Sequence, residues 1–499
     1  MLYESTRGQY KQVSSAEAIK LGIAPDGGLF VPCEAVKISK EQLKELAGLC
    51  YQEKAVYVLK KYLTDFTVEE ITKYVALAYG AGRFDAQEIV PLHKLEDSLY
   101  FLELWHGPTS AFKDLALQIL PHLLTGAAVK TGEEATIVIL VATSGDTGKA
   151  ALEGFKDVPG TKIIVFYPEQ GVSEMQKLQM ITQEGNNVAV VAVRGNFDDA
   201  QTGVKNIFGD QSFNQKLSGK KFVLSSANSI NWGRLVPQIV YYFSAYLDLA
   251  LKGEVNLGDS INFVVPTGNF GNILAAYYAK EMGLPVNRLI CAANTNNVLT
   301  DFIRTGLYDR GRRFQKTISP SMDILISSNL ERLLFHLSGR NPGRVRGWMA
   351  SLSQSGAYRI DETTHARLGR IFWSDYADDV ETLAAIRSVY SRYGYVLDTH
   401  TAVGMCVYNK YTAATGDGTR TIVASTASPF KFNESVAGAI LGEAAVRGKD
   451  ESKLLEELSA ASGLEIPAGL RRLNIKPVRH RGVTSIENMR ESVQNILKL

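Results

Sequence analysis

Cysteine is scarce. The 499 residues hold four, Cys33, Cys50, Cys291 and Cys406, far apart and with no CxxC pair. That spacing excludes a disulfide framework and a thiolate zinc site. The seven histidines are scattered and form no HExxH motif, which argues against a catalytic transition metal. No uncharged apolar run reaches the roughly 18 residues of a membrane span. The opening MLYESTRGQY lacks the basic-then-apolar pattern of a signal peptide. Neither sign of charge dominates: 54 Lys and Arg against 52 Asp and Glu leave +2. There is no global pull towards nucleic acid or an anionic membrane. These absences predict a cytoplasmic protein with no metal, nucleic-acid or membrane partner. Any anionic ligand must be held by local geometry.

What is present is the composition of a folded protein, 45% hydrophobic and 21% charged. The length implies two or three domains. Residues 1–95 read as an N-terminal, mainly helical domain. It opens with STRG (5–8) and the turn signal APDGGLFVP (24–32), then shows helical periodicity over Ser39–Leu49 and Thr67–Ala78. From about 97 the pattern becomes strand, loop, helix, repeated. The apolar runs TIVILVA (136–142), KIIVFY (162–167), VAVVAV (188–193) and INFVV (261–265) lack alternation, as strands covered on both faces do. Leu289–Ala293 and Thr421–Ala424 are further strand candidates. Helical patterns lie between them, at Asp146–Phe155, Ser173–Ile181, Phe197–Phe208, Trp232–Leu249 and Phe270–Met282. The fold class is therefore α/β, with open, mostly parallel sheets and helices on both faces. We divide the remainder into a large domain, 96–142 and 221–499, and a smaller inserted α/β domain, 143–220. Between about 300 and 395 the strand signal fades. Gly339–Arg346 (GRNPGRVR) reads as a basic, solvated turn.

Open α/β sheets bind ligands outside the carboxyl ends of their strands, and that rule singles out certain loops. HGPTSAFKD (106–114) follows an apolar run and enters a helix. Its Lys113, held beside a positive helix end, is suited to a lowered pKa and Schiff-base chemistry, and we assign it to pyridoxal phosphate (PLP). Gly268, Asn269, Phe270, Gly271 and Asn272 follow INFVV and open a helix, a geometry that presents amides to an anion. Ser144, Gly145, Asp146 and Thr147, after TIVILVA, bring hydroxyls and amides to another helix start, suited to a carboxylate. Lys149 follows, but the GxxxxGK[ST] spacing is absent, which excludes an NTPase. SSANSINWGR (225–234) offers Asn228, Ser229, Asn231 and the fork-shaped Arg234 to a phosphoryl or carboxylate group. Helix capping by Asn228 or Ser229 is compatible with that role. STASPFKF (425–432) and LDTHTAVG (397–404) are each, alone, a turn or an N-cap.

In this order the segments STRG with APDGGLFVP, HGPTSAFKD, ATSGDTG, SSANSINWGR, PTGNFGN, LDTHTAVG and STASPFKF resemble those of the threonine synthase family, in its longer form with an N-terminal domain. The resemblance implies the tryptophan-synthase-β type of PLP fold (fold type II). It implies that Lys113 is the Schiff-base lysine, that residues 268–272 cradle the cofactor phosphate and that Thr426 meets the pyridine nitrogen. It further implies that Ser144, Gly145, Asp146 and Thr147 face the substrate carboxylate or the cofactor's phenolic oxygen. Asn228, Ser229, Asn231 and Arg234 are candidates for the substrate phosphate. Family members often have His where this chain has Ser428. The implied activity is that of a carbon–oxygen lyase acting on phosphates, converting O-phospho-L-homoserine and water to L-threonine and phosphate, in a monomer or homodimer. Two other readings stay open on the sequence. One is a serine or threonine dehydratase of the same fold, and the other is a non-catalytic binder of phosphorylated metabolites.

Overall fold

The computed structural model describes residues 1–143, 145–169 and 172–499. Two largely parallel sheets carry the fold. The larger has six strands in the order Phe372–Tyr376, Val286–Ala293, Ile261–Pro266, Thr421–Ser425, Leu99–Glu103, Leu92–Glu96, and only the last pair is antiparallel. Its central strands Ile261–Pro266 and Thr421–Ser425 are buried throughout. That is why their sequences are continuous apolar runs. The second sheet has five parallel strands in the order Gly482–Ser485, Val188–Arg194, Thr161–Pro168, Thr136–Ala142, Phe222–Ser225.

Strand membership corrects the expected division. Thr136–Ala142, assigned from sequence to the larger unit, pairs on both edges within the five-stranded sheet. Gly482–Ser485 and the helix Met489–Leu497 also return to that sheet from about 290 residues away. There Met489 packs so tightly under the helix Phe197–Gly209 that a Cβ on Gly203 would lie 2.1 Å from its sulfur. Strand pairing is set by apolar faces and not by sequence distance, so segments far apart in the chain share this sheet. Leu92–Glu96, placed in the first block, is an edge strand of the large sheet. Phe372–Tyr376 is a further strand that shows no signal, since only Phe372 and Ser374 are buried at that edge. Gly339–Arg346 is not a solvated turn. Asn341 caps the helix Pro342–Ser355, Arg340 pairs with Glu4, and Arg346 donates to the Arg7 carbonyl.

The N-terminal block has four helices, Ser15–Leu21, Lys40–Ala47, Tyr51–Tyr62 and Val68–Tyr79, and a two-stranded ribbon, Tyr3–Ser5 with Phe30–Pro32. Ser39 and Thr67 close capping boxes at two of the helix starts, satisfying orphan amides. The apolar faces of this block merge with the main core. Trp232, at the start of the buried helix Trp232–Leu251, packs against the rings of Tyr3, Tyr62 and Tyr278. Among the described residues no helix is long and apolar enough to cross a membrane.

Candidate active site

The strand Leu99–Glu103 delivers the chain into a loop that ends at Lys113, the N-cap of the short helix Asp114–Leu117. The loop is clipped along its length to the segment after Thr421–Ser425. Trp105 Nε1 donates to Ser425 Oγ (3.1 Å), Phe112 N to the Thr426 carbonyl (2.9 Å), and Ser428 N to the Ser110 carbonyl (3.0 Å). Asp114 turns back to accept from the amide and hydroxyl of Thr109, at 2.8 and 2.7 Å. Burial raises the Asp114 pKa to about 6, against these two bonds.

Lys113 is buried. Its Nζ lies 3.5 Å from Asp146 Oδ2 and 3.3 Å from Ser321 Oγ. Its pKa is lowered chiefly by burial, with the cations Lys431 and Arg234 adding to that effect and Asp146 opposing it. The helix end invoked from sequence is therefore not the main cause. Asp146, the first residue of the helix Asp146–Phe155, also binds Lys431 Nζ at 2.9 Å and Gln176 Nε2 at 3.0 Å. Burial alone would raise its pKa, but Lys431 and Lys113 hold it well below the usual carboxylate range. Gly145 takes φ 148°, and a Cβ there would lie 2.5 Å from the Gln176 side chain. Thr147 is half-buried beside Asp146. Ser144 lies outside the described residues.

Ser321, Lys431, Gln176 and His400 received no role from the sequence. Ser321 lies in the stretch where strand periodicity fades, and no local pattern marks it. Lys431 and His400 stand in the quoted segments STASPFKF and LDTHTAVG, and their buried positions supply what those segments lacked. His400 Nε2 accepts from Ser321 N at 3.1 Å, and its Nδ1 faces Asp398 Oδ1 at 3.1 Å. That pairing selects the tautomer with the proton on Nδ1. Ser428 is buried and caps the following turn, so its hydroxyl has a local structural use.

The glycine-rich loop follows Ile261–Pro266. Phe270 adopts a left-handed φ of 63° and caps the helix Gly271–Glu281. The Ser321 carbonyl approaches Gly268 so closely that a Cβ would lie 2.5 Å from it. Asn272 Oδ1 accepts from the hydroxyls of Tyr241 and Tyr242, at 2.6 and 2.5 Å. Thr426 is buried beside Lys113's loop. In the 225–234 segment, Arg234 is buried and donates through one terminal nitrogen to the Ala227 carbonyl at 2.9 Å. Burial lowers its pKa to about 10. Asn228 is exposed. Ser229 accepts from Asn329 through its carbonyl and hydroxyl, both at 3.3 Å. Asn231 caps the helix Trp232–Leu251 and donates to the Ile19 carbonyl at 2.9 Å. Its amide is thus committed to structure, apart from Arg234.

Models of known families match nearly the whole chain. "Threonine synthase N terminus" covers residues 2–79, "Pyridoxal-phosphate dependent enzyme" residues 84–348 and "Threonine synthase, C-terminal" residues 401–495. The chain is 40% identical to the threonine synthase of Pseudomonas aeruginosa, over 89% of this chain and 91% of that one. It belongs to the threonine synthase family. A crystal structure of PLP-bound threonine synthase from Brucella melitensis superposes with a TM-score of 0.88 at 37% identity, covering all of both chains. The chain is also 43% identical to human threonine synthase-like 1, over 85% of this chain, but spans only 58% of that longer protein. The architecture is therefore fold type II, as the threonine synthase segments implied.

The residues of this family member fit a phosphorylated cofactor. Arg234 Nε and Asn272 Nδ2 are buried donors with no protein partner, two of the few such atoms among the described residues. Buried donors of this kind call for an acceptor, and a phosphate or carboxylate supplies one. At Gly271 a Cβ would meet nothing nearer than Asn329 Nδ2 at 3.5 Å, so the helix start is open to close approach. Lys113 is a buried amine close enough to the Arg234 cation for that charge to lower its pKa.

Proposed function

We propose that this chain converts O-phospho-L-homoserine and water to L-threonine and phosphate, with PLP carried on Lys113. The observation that bears most weight is the setting of Lys113. Its amine is buried, its pKa is depressed, and it shares Asp146 with a second buried lysine, while Arg234 and Asn272, at two helix starts, carry unpaired buried donors. When bound, PLP delocalises the electron pair left when a proton leaves the substrate's Cα. The protein's own residues do the rest. Gly268–Asn272 bind one phosphate through backbone amides at a helix start. Arg234 binds a second as a fork-shaped cation. Asp146 and Thr147 face the substrate at the helix start beside Lys113. Lys113, freed when the substrate's amine takes its place and with its pKa lowered, moves protons at Cα and at the carbons beyond it, since one amine over the substrate reaches each in turn. The closed, buried setting keeps water from the substrate until it is needed.

The buried, unpaired Nε of Arg234 supports an anion site besides that of the cofactor, and so this reading over a dehydratase, which has no substrate phosphate to bind. The assay follows: phosphate release from O-phosphohomoserine set against ketoacid formation from threonine. Borohydride reduction of the holoenzyme and peptide mapping should place the label on Lys113. Lys113→Ala should bind PLP without a covalent bond and lose turnover, and normal turnover in that variant would remove the assignment. A cytoplasmic location agrees with the four cysteines, all free thiols.

A further inference from the structure

We infer that Asn329 and Arg332 form a clip that holds the glycine-rich loop and the 225–234 loop in one register and ties both to the N-terminal block. The inference rests on the assignment of those loops to the two phosphates made above. Both residues are fully buried. The Asn329 amide N–H donates to the Asn269 carbonyl at 3.1 Å. Its Nδ2 donates to the same carbonyl at 3.0 Å and to Ser229 O and Oγ at 3.3 Å. Its Oδ1 accepts from Arg332 at 2.6 Å. Arginine only donates and a carbonyl only accepts, so the side-chain amide has one possible orientation. Arg332 then donates to the Ile230 carbonyl at 2.5 Å and to the Phe30 carbonyl, in the N-terminal ribbon, at 2.9 Å.

The consequence for the phosphate loop follows from peptide geometry. In a trans peptide the carbonyl and the next N–H point in opposite directions. Ser327 Oγ holds the Gly268 carbonyl at 2.7 Å, and Asn329 holds that of Asn269. With both carbonyls drawn to that side, the amides of Asn269 and Phe270 face the other way, as an anion requires. The same logic turns the Asn231 amide away from Arg332, and it donates to the Asn228 carbonyl at 3.1 Å. A buried guanidinium whose partners are carbonyls and an amide oxygen is a costly way to gain stability. It is a direct way to fix three backbone segments. Asn329 and Arg332 are positioning residues, since they act through the loops.

The test uses the reconstituted holoenzyme. Asn329→Asp keeps shape but sets a carboxylate against the carbonyls of Asn269 and Ser229. It should raise the PLP dissociation constant and the KM for O-phosphohomoserine, each by about tenfold. At saturation kcat should stay within about threefold of wild type, because Lys113 and Asp146 are untouched. Arg332→Lys should raise KM by about tenfold with a smaller effect on PLP. A folded Asn329→Asp enzyme in which both constants are unchanged, or only one moves, overturns the clip. If that variant does not fold, an unchanged KM in Arg332→Lys overturns it instead. Arg234→Ala, which leaves the clip intact, separates the two layers of argument. An unchanged KM there overturns the substrate-phosphate assignment on which the clip rests.

Discussion

At the scale of single residues, the candidate site centres on one carboxylate shared by two lysines. Asp146 stays ionised in a buried place because Lys431 sits 2.9 Å away and Lys113 3.5 Å away. Remove Lys431 and Asp146 loses its nearer cation, so its pKa rises. Lys113 loses a like charge, so its pKa rises too. Lys431→Met should therefore move both limbs of the kcat pH profile, which reports the substrate complex in which Lys113 is free, upward and lower kcat by about a hundredfold. Lys431→Arg should restore part of the rate. Lys431 Nζ also donates to the Thr109 carbonyl at 2.9 Å, and a profile that keeps its position while the rate falls would mean that Lys431 acts only by holding that loop. Lys113, Asp146 and Arg234 stand in loops that sequence pattern alone selects, because each follows a strand and opens a helix. Lys431 and His400 stand in STASPFKF and LDTHTAVG, which alone read as a turn and an N-cap, and Ser321 and Gln176 carry no local signal. They reach the site only when distant segments close on it, and local periodicity carries no record of that closure.

At the scale of elements, the question is what presses the Lys113 helix against the Asp146 helix. Gly154 answers it: a Cβ there would lie 2.0 Å from the Leu117 carbonyl, which is backbone and cannot move aside. Gly154→Ala should cost about 1–3 kcal/mol of stability and widen the gap between Lys113 and Asp146. Denaturant melts and kcat together report this, and a variant of wild-type stability and rate would show that the two helices have slack. The loop before Lys113 has its own anchor. Burial disfavours the His106 imidazolium, but the hydrogen bonds its two ring nitrogens donate to Asp85 (2.5 Å) and Glu103 (2.9 Å) win, raising its pKa to about 9. A raised folded-state pKa gives stability that is complete below the unfolded value, near 6.5, and is lost as pH rises through about 9. His106→Gln should thus melt below wild type at pH 6.5, and the gap should close above pH 9. Sequence periodicity marks the long elements well, because buried parallel strands and amphipathic helices leave continuous patterns. It misses Phe372–Tyr376 and Gly482–Ser485, which are edge strands with one buried face or too few residues.

At the scale of the whole molecule, the N-terminal block is built into the site and is not an appendage. Arg7 forms a two-pronged pair with the buried Glu331, at 3.0 and 3.1 Å, and Thr6 Oγ1 adds a bond of 2.6 Å to the same carboxylate. Glu331 lies between Asn329's helix cap and Arg332, so the STRG segment is tied to the turn that holds the glycine-rich loop. Asn231 reaches the Ile19 carbonyl on the other side. The sequence set the block apart by its helical periodicity, yet its core is continuous with that of the large sheet. A chain of residues 80–499 should therefore expose the Trp232 cluster and aggregate when expressed alone. Light scattering and gel filtration would show this, and a monodisperse, PLP-binding fragment would contradict it. Arg7→Ala is the finer probe. It removes the cation from a carboxylate that stays buried, a change that costs up to about 3–5 kcal/mol when both partners are desolvated. Arg7 itself is partly exposed, so the loss should fall below that range. Because the strain falls on the turn at 329–332, substrate KM should rise along with it. If stability falls and KM does not, the block supports the fold without steering the site.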